Sequence, residues 1–141
     1  FSANDKAEIV EAIRLAEKET SGEIRIYVES KNAYMDPIDR AAEIFYGLKM
    51  GQTAHRNGVL VYVALKDRQL AIFADEGIYT RAGAEFWREE VKVMLREFNR
   101  EHYAAGIATV VKQIGDVLSL HFPYEPGTDK NELPDDIVFG H

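Results

Sequence analysis

The stretch GVLVYVAL, residues 58–65, is apolar without interruption and rich in β-branched valine. A strand with no polar position in its two-residue alternation has to be buried on both faces. A chain containing it must therefore lay structure on either side of a sheet. Lys66-Asp67-Arg68 is a short turn, after which QLAIFAD, residues 69–75, is again apolar. So brief a connection permits only an antiparallel hairpin.

Upstream, EIRIYVES (23–30) alternates, with Ile24, Ile26 and Val28 on one face and Arg25, Tyr27 and Glu29 on the other. That is the period of a strand whose outer face is only partly covered. Between the two strands Asp36 stands where an N-cap belongs and Pro37 where a first helical residue belongs. Ile38, Ala42, Phe45 and Leu48 then form one stripe of a helix over about 37–50. A strand, a crossover helix and a second strand make a parallel pair. Further helices are expected over 4–20, along the stripe Trp87, Val91, Met94, Leu95 and Phe98, and along Tyr103, Ile107, Val110, Val111, Ile114 and Leu118. The order of elements predicts an α/β fold, a three-layer α/β/α sandwich with a small mixed sheet of three to four strands covered by helices on both faces.

With 141 residues, 46% hydrophobic and 29% charged, the chain has the size of one domain that needs no staple to fold. Residues 1–124 are read as that domain. Residues 125–141 are read as an acidic, proline-containing tail packed on it or trailing from it, pinned by Phe122 and Tyr124. The absence of cysteine excludes disulfides, thiolate catalysis and Cys-ligated metals. A net charge of −7 argues against nucleic acid. No apolar run approaches the roughly 20 residues of a membrane span. The chain is expected to be soluble and monomeric, in the cytoplasm, or beyond the membrane if a leader has been removed.

The topology creates two rims. Asp75 and Glu76, ending the hairpin, should lie near His55, Arg56 and Asn57. There Asp75, Glu76, Asn57 and the Thr53 hydroxyl offer hard oxygen donors suited to Ca²⁺ or Mg²⁺. The same letters, in FADEGIYT (73–80), equally describe a turn and cap, with Asp75 or Glu76 satisfying free N–H groups where the next helix begins near Thr80 to Ala84. The opposite rim, at the carboxyl ends of the parallel strands, carries Ser30, Asp36 and Asp39. It is where open α/β sheets usually bind ligands, yet both acids there suit a helix start.

Other chemistry has little support. His55, His102, His121 and His141 are scattered singly, without zinc-ligand spacing. No Gly-x-Ser-x-Gly elbow, dinucleotide fingerprint or phosphate loop occurs, and DEGIY lacks the Asp-x-Asp-x-Thr pattern of aspartyl-phosphate enzymes.

Taken together, RNGVLVYVALKDRQLAIFADEGI (56–78), FW (86–87), FNREHYAAGI (98–107) and NELPDD (131–136) resemble the TPM domain family, named for thylakoid lumen, photosystem II repair and nematode receptor-associated proteins. The likeness is to its small, free-standing bacterial members and spans most of residues 5–139. It implies an α/β/α sandwich of about four strands, the fourth being DIVFG near 136–140. It also implies divalent-cation binding, chiefly Ca²⁺, and for some members acid phosphatase activity. The family's Asn-Gly-Val-Leu falls on Asn57 to Leu60 and its post-hairpin acid on Asp75. Many relatives carry an acid before that asparagine, whereas this chain has Arg56.

The expectation is thus a cation-binding domain, with Asp75, Glu76, Asn57 and Thr53 as metal donors and no assigned catalytic residue. If it hydrolyses phosphomonoesters, the cation would activate water and Arg56 or Arg81 would assist. The alternative is a non-enzymatic interaction module, with a structural cation and a protein partner meeting the tail or an exposed sheet edge.

Overall fold

The computed structural model describes residues 1–32, 35–125 and 137–140. In chain order they form α1 (Ala3–Glu17), β1 (Glu23–Glu29), α2 (Pro37–Gly47), a 3-10 turn (Met50–Gln52), β2 (Gly58–Ala64) and β3 (Gln69–Ala74). Then follow α3 (Glu76–Ala82), α4 (Ala84–Asn99), α5 (Tyr103–His121) and β4 (Ile137–Phe139). The sheet order is β3-β2-β1-β4, with β1 parallel to both of its neighbours and β3 antiparallel to β2. The expected fold class is the observed one. All seven residues of β2 are buried, as its unbroken apolar run requires.

Alternation along the strands builds two cores. Val59, Val61 and Val63 face the larger, shared with Ile24 and Ile26 of β1, Ile9 and Ile13 of α1, Met94 of α4 and the buried stripe of α5. Leu60, Tyr62 and Ala64 face the smaller, closed by Ala41, Ile44 and Phe45 of α2. The layers are therefore unequal, with most of the helical mass on one side. Among the described residues no helix is long and apolar enough to cross a membrane.

Asp36 caps α2 as its spacing predicts, its side chain accepting from the Ile38 N–H at 3.1 Å, with Pro37 in the first turn. The helix is shorter than expected, ending at Gly47 before the separate 3-10 turn. The helix expected to begin near Thr80 to Ala84 is divided. Asp75 starts the seven-residue α3, and Gly83, at φ +89°, breaks it from α4. That dihedral lies where a side chain is strained, so the corner depends on glycine. Of the tail, residues 126–136 and 141 lie outside the described residues. Phe122 is buried, Tyr124 is half exposed, and Ile137–Phe139 rejoins the sheet beside β1.

Glu90, on α4, faces α5 and is buried. Burial pushes its carboxyl up to about 7, with help from the charge of Glu89. With its amide turned so that nitrogen faces the carboxylate, Gln113 donates to both oxygens, at 2.6 and 2.9 Å. A carboxyl raised in the fold contributes stability that is complete below the ordinary glutamate value and is lost as pH rises towards 7. Discounted for those amide donors, the loss is on the order of 2 kcal/mol. Glu90→Gln should flatten the decline of Tm between pH 5 and 8 and raise Tm by a few degrees at pH 8. Parallel profiles for the two proteins would refute this.

Candidate functional site

The hairpin returns the chain to the amino end of β2, so the residues after β3 meet the loop before β2. Asp75 caps α3. Its Oδ1 accepts from the Glu76 N–H at 2.8 Å, and its backbone carbonyl accepts from Ile78 and Tyr79 at 3.1 and 2.8 Å. The carboxylate is also gripped from the opposite loop: Arg56 Nη2 donates to Oδ1 at 2.8 Å and Nε to Oδ2 at 2.9 Å. Both oxygens are thus engaged by one planar fork, the strongest geometry available to such a pair. The Asp75 side chain is 1% exposed and that of Arg56 is 42% exposed. Arg56 also reaches Glu76 at 3.3 Å. Donating to the Asp75 carboxylate makes the Arg56 guanidinium hold its proton more firmly than usual.

Two backbone details make this reach possible. Arg56 adopts a left-handed conformation, φ +52°, uncommon for a residue with a side chain. The Gly77 N–H donates to the Arg56 carbonyl at 2.8 Å. A side chain at Gly77 would be driven into the carbonyl oxygens of His55 and Arg56, so the glycine lets loop 53–57 lie directly on α3.

Of the four expected donors, the fold brings Asp75 and Glu76 together with Arg56 between them. Asn57 is buried, but its amide makes a long 3.4 Å bond to Ser21, which precedes β1 on the far side of β2. The Thr53 hydroxyl is buried and has no hydrogen-bond partner among the described residues. Among the described residues no group of three or more His, Asp or Glu is arranged to hold a metal. As they stand, these side chains do not fit an ion, because the guanidinium occupies both oxygens of Asp75. Arg81 stacks over the Phe122 ring at 4.5 Å, and His55 lies against the same ring, 5.9 Å between centroids.

The opposite rim holds a cluster that the sequence reasoning missed. Glu29, at the end of β1, accepts from Arg40 of α2 through both oxygens, each at 2.9 Å, and from the hydroxyl of Tyr62 on β2. The Glu29 side chain is 4% exposed. The Arg40 bonds outweigh burial and hold its carboxyl below the usual range, while burial and the Glu29 charge push the Tyr62 phenol up. The available signal was Tyr62 itself, since a phenol inside a strand buried on both faces needs a hydrogen-bond partner. Asp36 and Asp39 begin α2 and do not join this cluster. Nearby, Asn32 binds Asp67 at 2.7 Å and Gln69 at 2.8 Å, tying the loop after β1 to the hairpin turn.

With this geometry in view, the family model described as the TPM domain matches residues 1–117. The chain belongs to the TPM domain family. This TPM domain is similar to the BA42 protein of the psychrophilic bacterium Bizionia argentinensis, whose NMR structure superposes with a TM-score of 0.90. The two share 36% identity over 99% of this chain and 95% of the other. Its fold also matches the N-terminal domain of a protein from P. gingivalis, with a TM-score of 0.71 at 16% identity over 89% of this chain and 82% of the other. A further fold match is the N-terminal domain of the cg2496 protein from Corynebacterium glutamicum, with a TM-score of 0.62 at 12% identity over 100% and 82%. No curated protein matches the TPM domain described here.

Proposed function

We propose that this TPM domain is a non-enzymatic interaction module in which Arg56 supplies the positive charge that the Asp75 rim requires. The observation behind this reading is the bidentate Arg56–Asp75 pair, in which a guanidinium holds the oxygens a hard cation would take. A catalytic role finds little to work with. The Thr20 and Thr80 hydroxyls donate to backbone carbonyls and not to a base, which is the usual means of activating a hydroxyl nucleophile.

A second reading, a Ca²⁺ or Mg²⁺ site formed by exchange, draws on the exposure of that guanidinium, the neighbouring Glu76 carboxylate and the unpartnered Thr53 hydroxyl. Should Arg56 swing off, Asp75 and Glu76 would be the first donors to a cation.

Titrating ¹⁵N-labelled protein with CaCl₂ separates the two. Under the first reading the wild type shows no saturable shift at 53–57 and 75–80 below several millimolar. Arg56→Ala, which frees Asp75, should bind at least ~10-fold more tightly than the wild type. Saturation of the wild type at micromolar Ca²⁺ would sink the first reading in favour of the second. Hydrolysis of an aryl phosphate above a blank, lost in Asp75→Ala, would overturn the non-enzymatic assignment.

A further inference from the structure

β3 ends the sheet, and its outer backbone edge has no partner among the described residues. The Asp75 N–H donates to the Gly58 carbonyl at 2.9 Å. Counting back along the register, which pairs Phe73 with Leu60 and Ala71 with Tyr62, those β3 residues spend both backbone groups on β2. Leu70 and Ile72 then turn their N–H and C=O outward. A groove of about 530 Å³ runs along this edge, floored by Leu70, Ala71 and Ile72 and walled by Ile38 of α2 and by Trp87 and Val91 of α4. Backbone groups in an apolar groove require hydrogen-bond partners, and an added strand supplies them in register.

The walls differ in charge. The α4 wall carries Arg88 and Lys92, against the single Asp36 on the α2 wall, so the groove is cationic within a chain of net charge −7. Among the described residues both cations are paired along their own helix, Arg88 with Glu85 and Lys92 with Glu89, and all four side chains are more than half exposed. Such pairs contribute little and are readily exchanged. The C-terminal strand β4 lies on the opposite edge, beside β1.

We propose that the β3 edge binds an extended peptide segment of a partner protein as a fifth strand, with apolar side chains towards Ile38 and acidic ones towards Arg88 and Lys92. Side chains of a strand alternate between faces, so the recognised pattern is an apolar–acidic alternation, and the main chain supplies the affinity. The proposal rests on the interaction-module reading and adds the surface and the chemistry of the partner.

The probe is an acetylated, amidated hexapeptide of alternating valine and glutamate, with a valine–lysine peptide as control. Trp87 is the only tryptophan and lines the groove, so its fluorescence reports occupancy. In the free protein the Leu70 and Ile72 amides should exchange with solvent faster than those of Ala71 and Phe73, at every protein concentration. Adding the valine–glutamate peptide should protect them and change Trp87 emission. The valine–lysine peptide should bind at least ~10-fold more weakly, as should the surface double variant Arg88→Glu/Lys92→Glu with the valine–glutamate peptide. Ile72→Pro, which deletes one outward donor, should weaken binding too. Protection already present in the free protein would overturn the proposal, and a rise in protection with concentration would assign the edge to a second copy instead. Absence of protection with peptide at millimolar concentration would also overturn it. These failures leave the module reading standing on another surface, whereas phosphatase turnover would remove that reading whatever the peptide does.

Discussion

Arg40→Ala should lower stability at pH 7 by about 3 kcal/mol, because among the described residues it leaves the buried Glu29 charge with the Tyr62 hydroxyl alone as side-chain partner. In a domain of this size that corresponds to a fall in Tm of about 10 °C. The pH dependence fixes the cause. The carboxyl of Glu29 is depressed in the fold, chiefly by Arg40. Its contribution is therefore present above the ordinary glutamate value and is lost as pH falls through the lower folded one. The gap between wild type and variant should narrow in melts recorded below about pH 4.5, where the stranded carboxylate takes up a proton. A gap of equal size at pH 7 and pH 3.5 would mean that Arg40 acts through packing alone. Adding Glu29→Gln to the variant should recover part of the loss at pH 7.

Gly77→Ala should be comparably damaging, and for a different reason. The new methyl meets two backbone carbonyls, those of His55 and Arg56, and neither can rotate aside as a side chain could. Either loop 53–57 lifts from α3 or the helix shifts, at about 1–3 kcal/mol. Movement of the loop would also loosen the Arg56–Asp75 fork. Gly47→Ala is the matched control: it sits in the last turn of α2 with open space around its added methyl, and should be neutral or stabilising by up to about 1 kcal/mol. Urea melts of the two variants measure the difference. Equal midpoints would show that the Gly77 contact is not tight in solution.

How much could be read in advance varied with the range of the physics involved. The unbroken run 58–65 and the Asp36-Pro37 start needed only local pattern, and both are found where the letters put them. FADEGIYT was open between a cap and a cation donor. The cap is present, but α3 was hidden because seven residues with Ile78 alone buried make no stripe to detect. Arg56 was visible as a departure from an acidic position. Its bidentate grip was not, because it needs a left-handed backbone and a hairpin closed by residues 19 positions apart. The Glu29 cluster joins β1, α2 and β2, three separate segments of the chain, and pairings of that kind leave no local spacing to find. At three residues, β4 was too short to announce itself by alternation and entered only through the family likeness.

The larger core is closed by helices from opposite ends of the fold. α1 packs on α5, where Gly115 lies so close to Ala16 that no methyl group would fit between them, and the short bridge between Thr20 and Pro123 fastens the same region. On a ribosome this arrangement imposes an order of events. The β2–β3 hairpin and its α2 cover can assemble early from neighbouring segments, while the valine face of β2 stays bare until α5 has emerged. Between the emergence of β2 and that of α5 the nascent chain carries this apolar face uncovered, and the hazard of aggregation ends only when α5 packs against it.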